Sequence, residues 1–505
     1  MKSIRIQGLR SLKDTKLFDI KDLNILVGTN SSGKSSFLRV FPLLKQSVER
    51  KTRGPILWDG NYIDFGSFDT SVHSGIDDDK DKIIKLFFNF THETKSFQRI
   101  KVDLECDICI NRSSNGLGSY TSQYNVKIYD HTILFNFDED GTITEISSDR
   151  LQWPLKKHEL KYQITDTDSL LPILKSEIAT SNRPITLSIF NQVSNIFREK
   201  SGSSSINKYN FITSRFLNTT RNDDDKLRFL NKISSTQKWS REVKNWNIQN
   251  SNFRFISGLA DLFFIMENSE QINKTMTNIL LGVRYIAPLR TSTARYYRYQ
   301  DLNIDELDPK GENIGMFISN IPKKWRESLD NWTQNEFGFI IQDNFNSGHI
   351  SINIRHQNSK TSDNMSDMGF GYSQVLPIII QLWSLSSGYE NSKRKIEITS
   401  YLCAIEQPEL HLHPKMQASL ANVFVKSIAL ARSNEIKLRL LIETHSESII
   451  SKIGTLVSEN KLISNQDVGV TLFEQDITTR KTNLISVKFD ENGFLSNWPL
   501  GFFEY

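Results

Sequence analysis

Apolar residues recur along this chain in two rhythms. Leu23-Asn24-Ile25-Leu26-Val27 is a short, nearly continuous apolar run and predicts a buried strand. Phe37, Leu38, Phe41, Leu44 and Val48 then fall on one face of a helix over 36–48, which Pro42 should kink or break. Between 60 and 146 the period shortens to two. Ile84-Leu86-Phe88-Phe90, Val102 to Ile110, Val126-Ile128, Ile133 to Phe137 and Thr142 to Ile146 read as strands, with Asp138-Glu139-Asp140-Gly141 as a hairpin turn. From 150 to about 280 helical periodicity runs through polar sequence, as in Phe253 to Met266 and Ile272 to Leu281. Ser201-Gly202-Ser203-Ser204-Ser205 has the composition of a flexible linker, and Asn222-Asp223-Asp224-Asp225-Lys226 that of a solvated turn or helix start. From about 283 strand and helix patterns alternate again, which predicts a return to an α/β layer. Val470 to Phe473 and Leu484 to Val487 read as closing strands, and Asp490-Glu491-Asn492-Gly493 as a turn.

Length and charge narrow the class only a little. The 505 residues suggest about three domains at ~150 residues each. The expected division is 1–150, 151–282 for an inserted helical arm, and 283–505. A formal net charge of +4 permits nucleic-acid contact without arguing for it. Three cysteines exclude a disulfide framework. Cys106 and Cys109 have CxxC spacing inside an alternating strand, so they point to opposite faces and do not share a metal. The N-terminus carries no apolar signal region, and no stretch is long and apolar enough to span a membrane. A cytoplasmic protein without membrane contact is expected.

The chemistry begins at Gly28-Thr29-Asn30-Ser31-Ser32-Gly33-Lys34-Ser35, which matches the phosphate-loop pattern G-x-x-x-x-G-K-[ST]. The strand before it and the helix from Ser36 supply the right context. Glycines let backbone N–H groups approach phosphate oxygens, and a helix N-terminus adds positive potential. Lys34 is placed to pair with the β- and γ-phosphates of ATP, and Ser35 to hold Mg²⁺. Asn30, Ser31 and Ser32 complete the cradle.

Matching pieces lie almost 400 residues on. Tyr401-Leu402-Cys403-Ala404-Ile405 reads as a buried parallel strand ending in Glu406-Gln407-Pro408-Glu409, and Glu406 is the candidate acid for the Mg²⁺ shell. Leu438 to Ile442 predicts a second strand, ending in Glu443-Thr444-His445-Ser446, where His445 can meet the γ-phosphate. Upstream, Gly369, Gly371, Ser373 and Gln374 open a helix whose N-terminus would attract an anion, a second γ-phosphate contact apart from Lys34.

Together these motifs resemble the ABC-type ATPase superfamily, in the branch of SMC, RecF-like and OLD-like heads. The resemblance implies a split P-loop NTPase head of α/β class, with a β-rich lobe and an inserted helical arm. It implies ATP sandwiched between two copies, with Gly369, Gly371, Ser373 and Gln374 as the signature acting in trans, Glu406 in Walker B and His445 as the switch histidine. The opening Ile4 to Leu12 is also similar to the start of such heads. Asp64-Phe65-Gly66-Ser67-Phe68, Tyr285 to Arg290, Glu406 to Pro414 and the tail Trp498 to Phe503 resemble a bacterial subfamily of AAA-labelled, ABC-type ATPases. Its relatives include ATPase subunits of Septu-type and retron-associated anti-phage systems. That resemblance implies a homodimer or higher oligomer, a separate HNH-type nuclease partner, and contact with DNA or with retron RNA and DNA.

One position departs from the pattern. Such ATPases place Glu after the Mg²⁺-shell acid as general base, and here Gln407 stands there. An amide orients water but takes no proton, and losing a positioned base slows a reaction by about 10²–10⁴-fold. Slow hydrolysis is therefore expected, with Glu409 as an alternative base whose approach Pro408 restricts. His411 and His413 have HxH spacing, and structural or dimer-contact roles are favoured over metal binding. Arg290 to Tyr299 and Lys238 to Lys244 mix cations with aromatics, as single-strand binders do, and read equally well as solvated faces. Two other readings stand beside the defence ATPase: a DNA-repair clamp of RecF or SMC type, and a scaffold that keeps its ATP.

Overall fold

The computed structural model describes residues 1–73, 82–94, 100–116, 118–151, 155–156, 169–174, 185–218, 222–288, 294–368, 370–393, 398–476, 481–496 and 498. The chain forms two compact units. One comprises Met1–Leu9, Ser47–Asp59 and Phe65–Thr277, and the other Arg10–Gln46, Gly60–Asp64 and Asn278–Tyr505.

The second unit is built on a sheet in the order Val283–Ile286, Ser400–Glu406, Lys437–Glu443, Leu23–Gly28, Val468–Gln475, Thr482–Phe489, Leu495–Ser496. The first five strands run parallel and the last two antiparallel. Parallel strands covered on both faces read as unbroken apolar runs, and Leu23–Gly28 is buried at every position. Its one polar residue, Asn24, is satisfied there: its amide donates to the carbonyls of Lys21 (2.8 Å) and Leu440 (3.0 Å). The core beneath the sheet joins Ile25, Ile405 and Ile442 to Ile379 and Trp383 of the helix Phe370–Ser386 and to Phe424 of Pro414–Ser433. Burying each such side chain contributes roughly 1.5–3 kcal/mol. Outside that sheet, Phe339–Asn346 and His349–His356 form an antiparallel pair.

The helix expected over 36–48 is two helices, Lys34–Leu38 and Val40–Glu49. The break falls at Arg39, three residues before Pro42. Pro42 lacks the N–H that would bond the Leu38 carbonyl, and its ring crowds that carbonyl. The apolar face survives the break, since Phe37, Leu38, Phe41 and Leu44 are all fully buried.

In the first unit, Ser3–Leu9 pairs with Ile84–Glu93, followed in an antiparallel meander by Lys101–Arg112, Ser119–Ile128, His131–Phe137 and Ile143–Ser148. The predicted turn is present: Gly141 takes φ 74° and donates to the Asp138 carbonyl at 3.0 Å. Cys106 and Cys109 are separately buried, beside Tyr124 and Gln123.

The helical segment of this unit comprises Ile185–Ser201, Ile206–Leu217, Asp223–Asn231, Gln237–Glu242 and Ser251–Leu281. The two C-terminal periodic stretches are thus one long helix. The serine-rich stretch 201–205 is a turn between helices rather than a flexible linker: Gly202 takes φ 62°, and Ser201 Oγ accepts from Ser203 N–H at 3.2 Å. Asn222 caps the acidic helix by accepting from Asp225 N–H at 2.9 Å. Buried Lys226 and His131 hold Asp261 from either side, at 2.6 and 3.1 Å. Burial pushes the Asp261 carboxyl up, but these partners outweigh it and leave it below the usual range.

Candidate functional site

The phosphate loop turns sharply between the Leu23–Gly28 strand and the Lys34–Leu38 helix, and two glycines permit it. A Cβ on Gly28 would lie 2.3 Å from the Phe473 carbonyl oxygen. Gly33 sits at φ 98°, and a Cβ there would meet the hydroxyls of Ser11 and Thr482 at 2.7 Å. Thr482 also donates to the Ser32 carbonyl at 2.9 Å, so a late strand braces the loop. Lys34 is folded back on this loop, donating to the carbonyls of Gly28 (3.0 Å) and Thr29 (2.7 Å). Burial lowers its pKa, against the opposing pull of Glu443 and Glu409.

These residues face a cavity of about 410 Å³ lined by Arg10, Ser11, Asn30, Ser31, Ser32, Gly33, Lys34, Ser35, Ser36, Gln407, Glu443 and His445. That size is within the range of small-molecule sites. Two buried oxygens here have no hydrogen-bond partner among the described residues, Ser32 Oγ and Glu443 Oε2. Buried polar atoms are normally paired, so such a pair of orphans marks a place where a polar ligand fits.

The strand register decides which acid meets the loop. Lys437–Glu443 lies directly beside the loop strand, and Ser400–Glu406 lies one strand further out. Ser35 Oγ donates to Glu443 Oε1 at 2.8 Å. Burial and the negative charge of Glu406 push the Glu443 carboxyl up to about 7, against Ser35, Lys34 and Arg39. Glu406 is 1 % exposed and already answered. Arg39 donates to both its oxygens at 2.8 Å, and the Tyr285 hydroxyl donates to Oε1 at 2.8 Å.

Gln407 lines the cavity at φ 42°, its N–H donating to the Glu443 carbonyl at 2.8 Å. Glu409 is not among the lining residues. Its carboxylate accepts from Thr444 Oγ1 (2.8 Å) and from His445 N–H (2.6 Å), so it braces the turn that carries His445. Burial, with Lys34 nearby, lowers the His445 pKa, so its imidazole is neutral at pH 7. His413 caps the helix Pro414–Ser433, accepting from Lys415 N–H at 3.3 Å. Among the described residues, no group of three or more potential ligands could hold a metal through His411 and His413.

Gly371, Ser373 and Gln374 lie in the first turns of the helix Phe370–Ser386, with Ser373 and Gln374 buried, and none of the three lines the cavity. Gly369 lies outside the described residues. So the structure brings the phosphate loop, Gln407 and His445 around one space. It puts Glu406 and Glu409 behind that space and the signature residues elsewhere in the unit.

Sequence reading missed Arg10, Arg39, Tyr285 and Glu443. Arg10 lines the cavity at φ 50°, its pKa lowered by burial and by Arg39. A charged end to an apolar strand run was the available signal for Glu443. Tyr285 opened one of the motifs of the resemblance without a role attached to it, and nothing local pointed to Arg39.

The sequence pattern of the family described as "AAA ATPase domain" matches residues 1–450. No curated protein matches the chain. Among solved structures, the SMC head domain from Thermotoga maritima is 8 % identical, with TM-score 0.34, covering 96 % of this chain and 97 % of that one. The recombination mediator protein RecF-ATPrS of the RecFOR pathway is 10 % identical, with TM-score 0.30 and the same coverage of each chain. Among the described residues, no helix is long and apolar enough to cross a membrane.

Proposed function

We propose that this chain, which belongs to the AAA ATPase domain family, is the ATP-binding subunit of a bacterial anti-phage defence complex. In this reading two copies engage around ATP and thereby control a separate nuclease. ATP binding and ATPase activity follow from the family. The defence role and an HNH-type partner rest on the resemblance of four motifs, Asp64 to Phe68, Tyr285 to Arg290, Glu406 to Pro414 and the tail Trp498 to Phe503. The functional division is then 1–150 and 283–505 for the two halves of the head, with 151–282 as the arm.

Lys34, released from the carbonyls of Gly28 and Thr29, pairs with the β- and γ-phosphates, while the loop backbone from Asn30 to Ser36 cradles them. Ser35 and a strand-end carboxylate are hard oxygen donors suited to Mg²⁺, which when bound would offset charge on the β- and γ-phosphate oxygens. Neutral His445 donates to the γ-phosphate. Gln407 orients water without taking its proton, so turnover is slow.

The observation that supports engagement of two copies is the placement of Gly371, Ser373 and Gln374. They lie outside the lining of their own chain's cavity, so the contact with ATP that the resemblance implies for them would have to come from a second copy. Sedimentation of the full chain with ATP and Mg²⁺ tests this. A dimer is expected that is lost in both Lys34→Ala and Ser373→Arg. A monomer at all ATP concentrations refutes engagement. Co-purification with a small His/Asn-rich nuclease tests the partner.

The clamp reading has one feature in its favour. A cavity of about 600 Å³ in the helical segment is lined by Lys208, Arg215, Lys232 and Arg228, the last paired with Asp225 at 3.1 Å in the same lining, beside exposed Phe211. Cations around an exposed ring suit single-stranded nucleic acid. Salt-dependent DNA binding by the isolated chain favours this reading, and co-purification with a small nuclease favours the defence subunit.

A further inference from the structure

We infer that the protein side of the divalent-cation site is the pair Ser35 and Glu443, and that Glu406, at the usual Walker B position, is held out of it by Arg39 and Tyr285. This deepens the ATP-binding reading above and rests on it.

The geometry separates the two acids. Glu443 ends the strand adjacent to the phosphate loop, and its Oε1 already touches Ser35 Oγ at 2.8 Å. Its other oxygen is buried, unpartnered among the described residues, and belongs to a side chain lining the cavity. A carboxylate offers about four acceptor positions, so Glu443 has lone pairs left for a cation while it keeps the Ser35 hydrogen bond. The Ser35 hydroxyl donates its proton to Glu443 and still has an oxygen lone pair of its own. A small hard cation that keeps several waters needs only such a pair of protein oxygens beside the phosphates.

Glu406 offers the opposite. Its charge is cancelled by a bidentate guanidinium, and its Oε1 also accepts from Tyr285. For Glu406 to bind the cation, that guanidinium must leave or stand beside a second positive charge. Like charges at that range in a low-dielectric site repel strongly. Arg39 therefore marks Glu406 as the anchor of the Ser400–Glu406 strand end. Gln407, the next residue, reaches the cavity from there.

The test reads metal binding rather than turnover. Nucleotide affinity of the full chain is measured with and without Mg²⁺, and the EPR spectrum of Mn²⁺ is recorded with ADP present. In Glu443→Gln the metal-free affinity is expected to persist, while the gain from Mg²⁺ falls by roughly tenfold or more and bound Mn²⁺ is lost. Glu443→Asp, one methylene shorter and still anionic, is the second variant. It is expected to keep metal-free binding and a weakened Mn²⁺ signal. Glu406→Gln is expected to keep the Mg²⁺ gain within about twofold, since no metal ligand is removed. Loss of the gain in Glu406→Gln with retention in Glu443→Gln overturns the inference. Retention in all three variants overturns it as well. A wild-type chain that binds no nucleotide with or without metal refutes the ATP-binding reading itself, which is a separate outcome.

Discussion

The Arg39–Glu406 pair makes a quantitative claim about stability. Glu406 is 1 % exposed, whereas the Arg39 side chain is about a third exposed (34 %). Arg39→Met removes the guanidinium and leaves the carboxylate buried beside the Tyr285 hydroxyl that donates to it. Breaking a buried pair from one side costs about 3–5 kcal/mol. Partial exposure of Arg39 admits water, so the low end, about 3 kcal/mol, is expected. Glu406→Gln alone leaves a cation that can turn to solvent, and about 1 kcal/mol is expected. The double variant leaves no buried charge and should fall within about 1 kcal/mol of wild type, a coupling of about 3 kcal/mol. Two compact units make a single unfolding transition a poor readout. The assay is therefore native-state hydrogen exchange at the amides of Ser400–Glu406, compared across the four proteins. A cost below about 1 kcal/mol in Arg39→Met would place the pair with ordinary surface bridges. A double variant as unstable as Arg39→Met would show that Arg39 acts by packing, and the charge argument would fall.

Other expectations concern the same unit. Glu443 is raised from 4.5 to about 7, so the folded apo protein holds a proton that the unfolded chain has lost. Its stability falls as pH rises from about 4.5 to about 7, by about 3 kcal/mol in all. Exchange at Lys437–Glu443 should show this fall in wild type and lose it in Glu443→Gln. Gln407→Glu should raise steady-state phosphate release by roughly 10²-fold, since it supplies a base at the cavity. Glu409→Gln should change that rate less than tenfold, because Glu409 braces His445 from behind; a collapse would make Glu409 the base. Gly33→Ala should cost at least about 1–2 kcal/mol and weaken nucleotide binding, as read by calorimetry, since Gly33 is left-handed and crowded by Ser11 and Thr482.

The phosphate loop was legible because strand, turn and helix are contiguous and each has its own pattern. Pro42 foretold the helix break for the same reason: the steric rule spans four residues. The antiparallel lobe was legible from alternation, although its strands run beyond the apolar positions: Ser119–Ile128 begins seven residues before Val126, and the added ends bury polar side chains such as His92 and His131 that an apolar pattern does not report. Glu406 and Glu443 are a different case. Both end apolar runs, and nothing in either run says which strand lies beside Leu23–Gly28. That choice is made by register across more than 400 residues, and it decides which acid touches Ser35. Arg39 lay in a helix whose periodicity reports only its buried face. Its bond to Glu406 needs two elements 367 residues apart.

The central position of Leu23–Gly28 also governs how this protein comes to exist. Its two neighbours, Lys437–Glu443 and Val468–Gln475, both come from the far end of the chain. At a synthesis rate of ~5–20 residues per second, the Leu23–Gly28 strand waits roughly 20–90 s for its two sheet neighbours. Through that interval its apolar surface depends on chaperones or on transient local collapse. A chain cut short before residue 437 owns an intact phosphate-loop motif and neither strand that flanks it in the sheet, so ATP capture waits until residues 437–475 have been made.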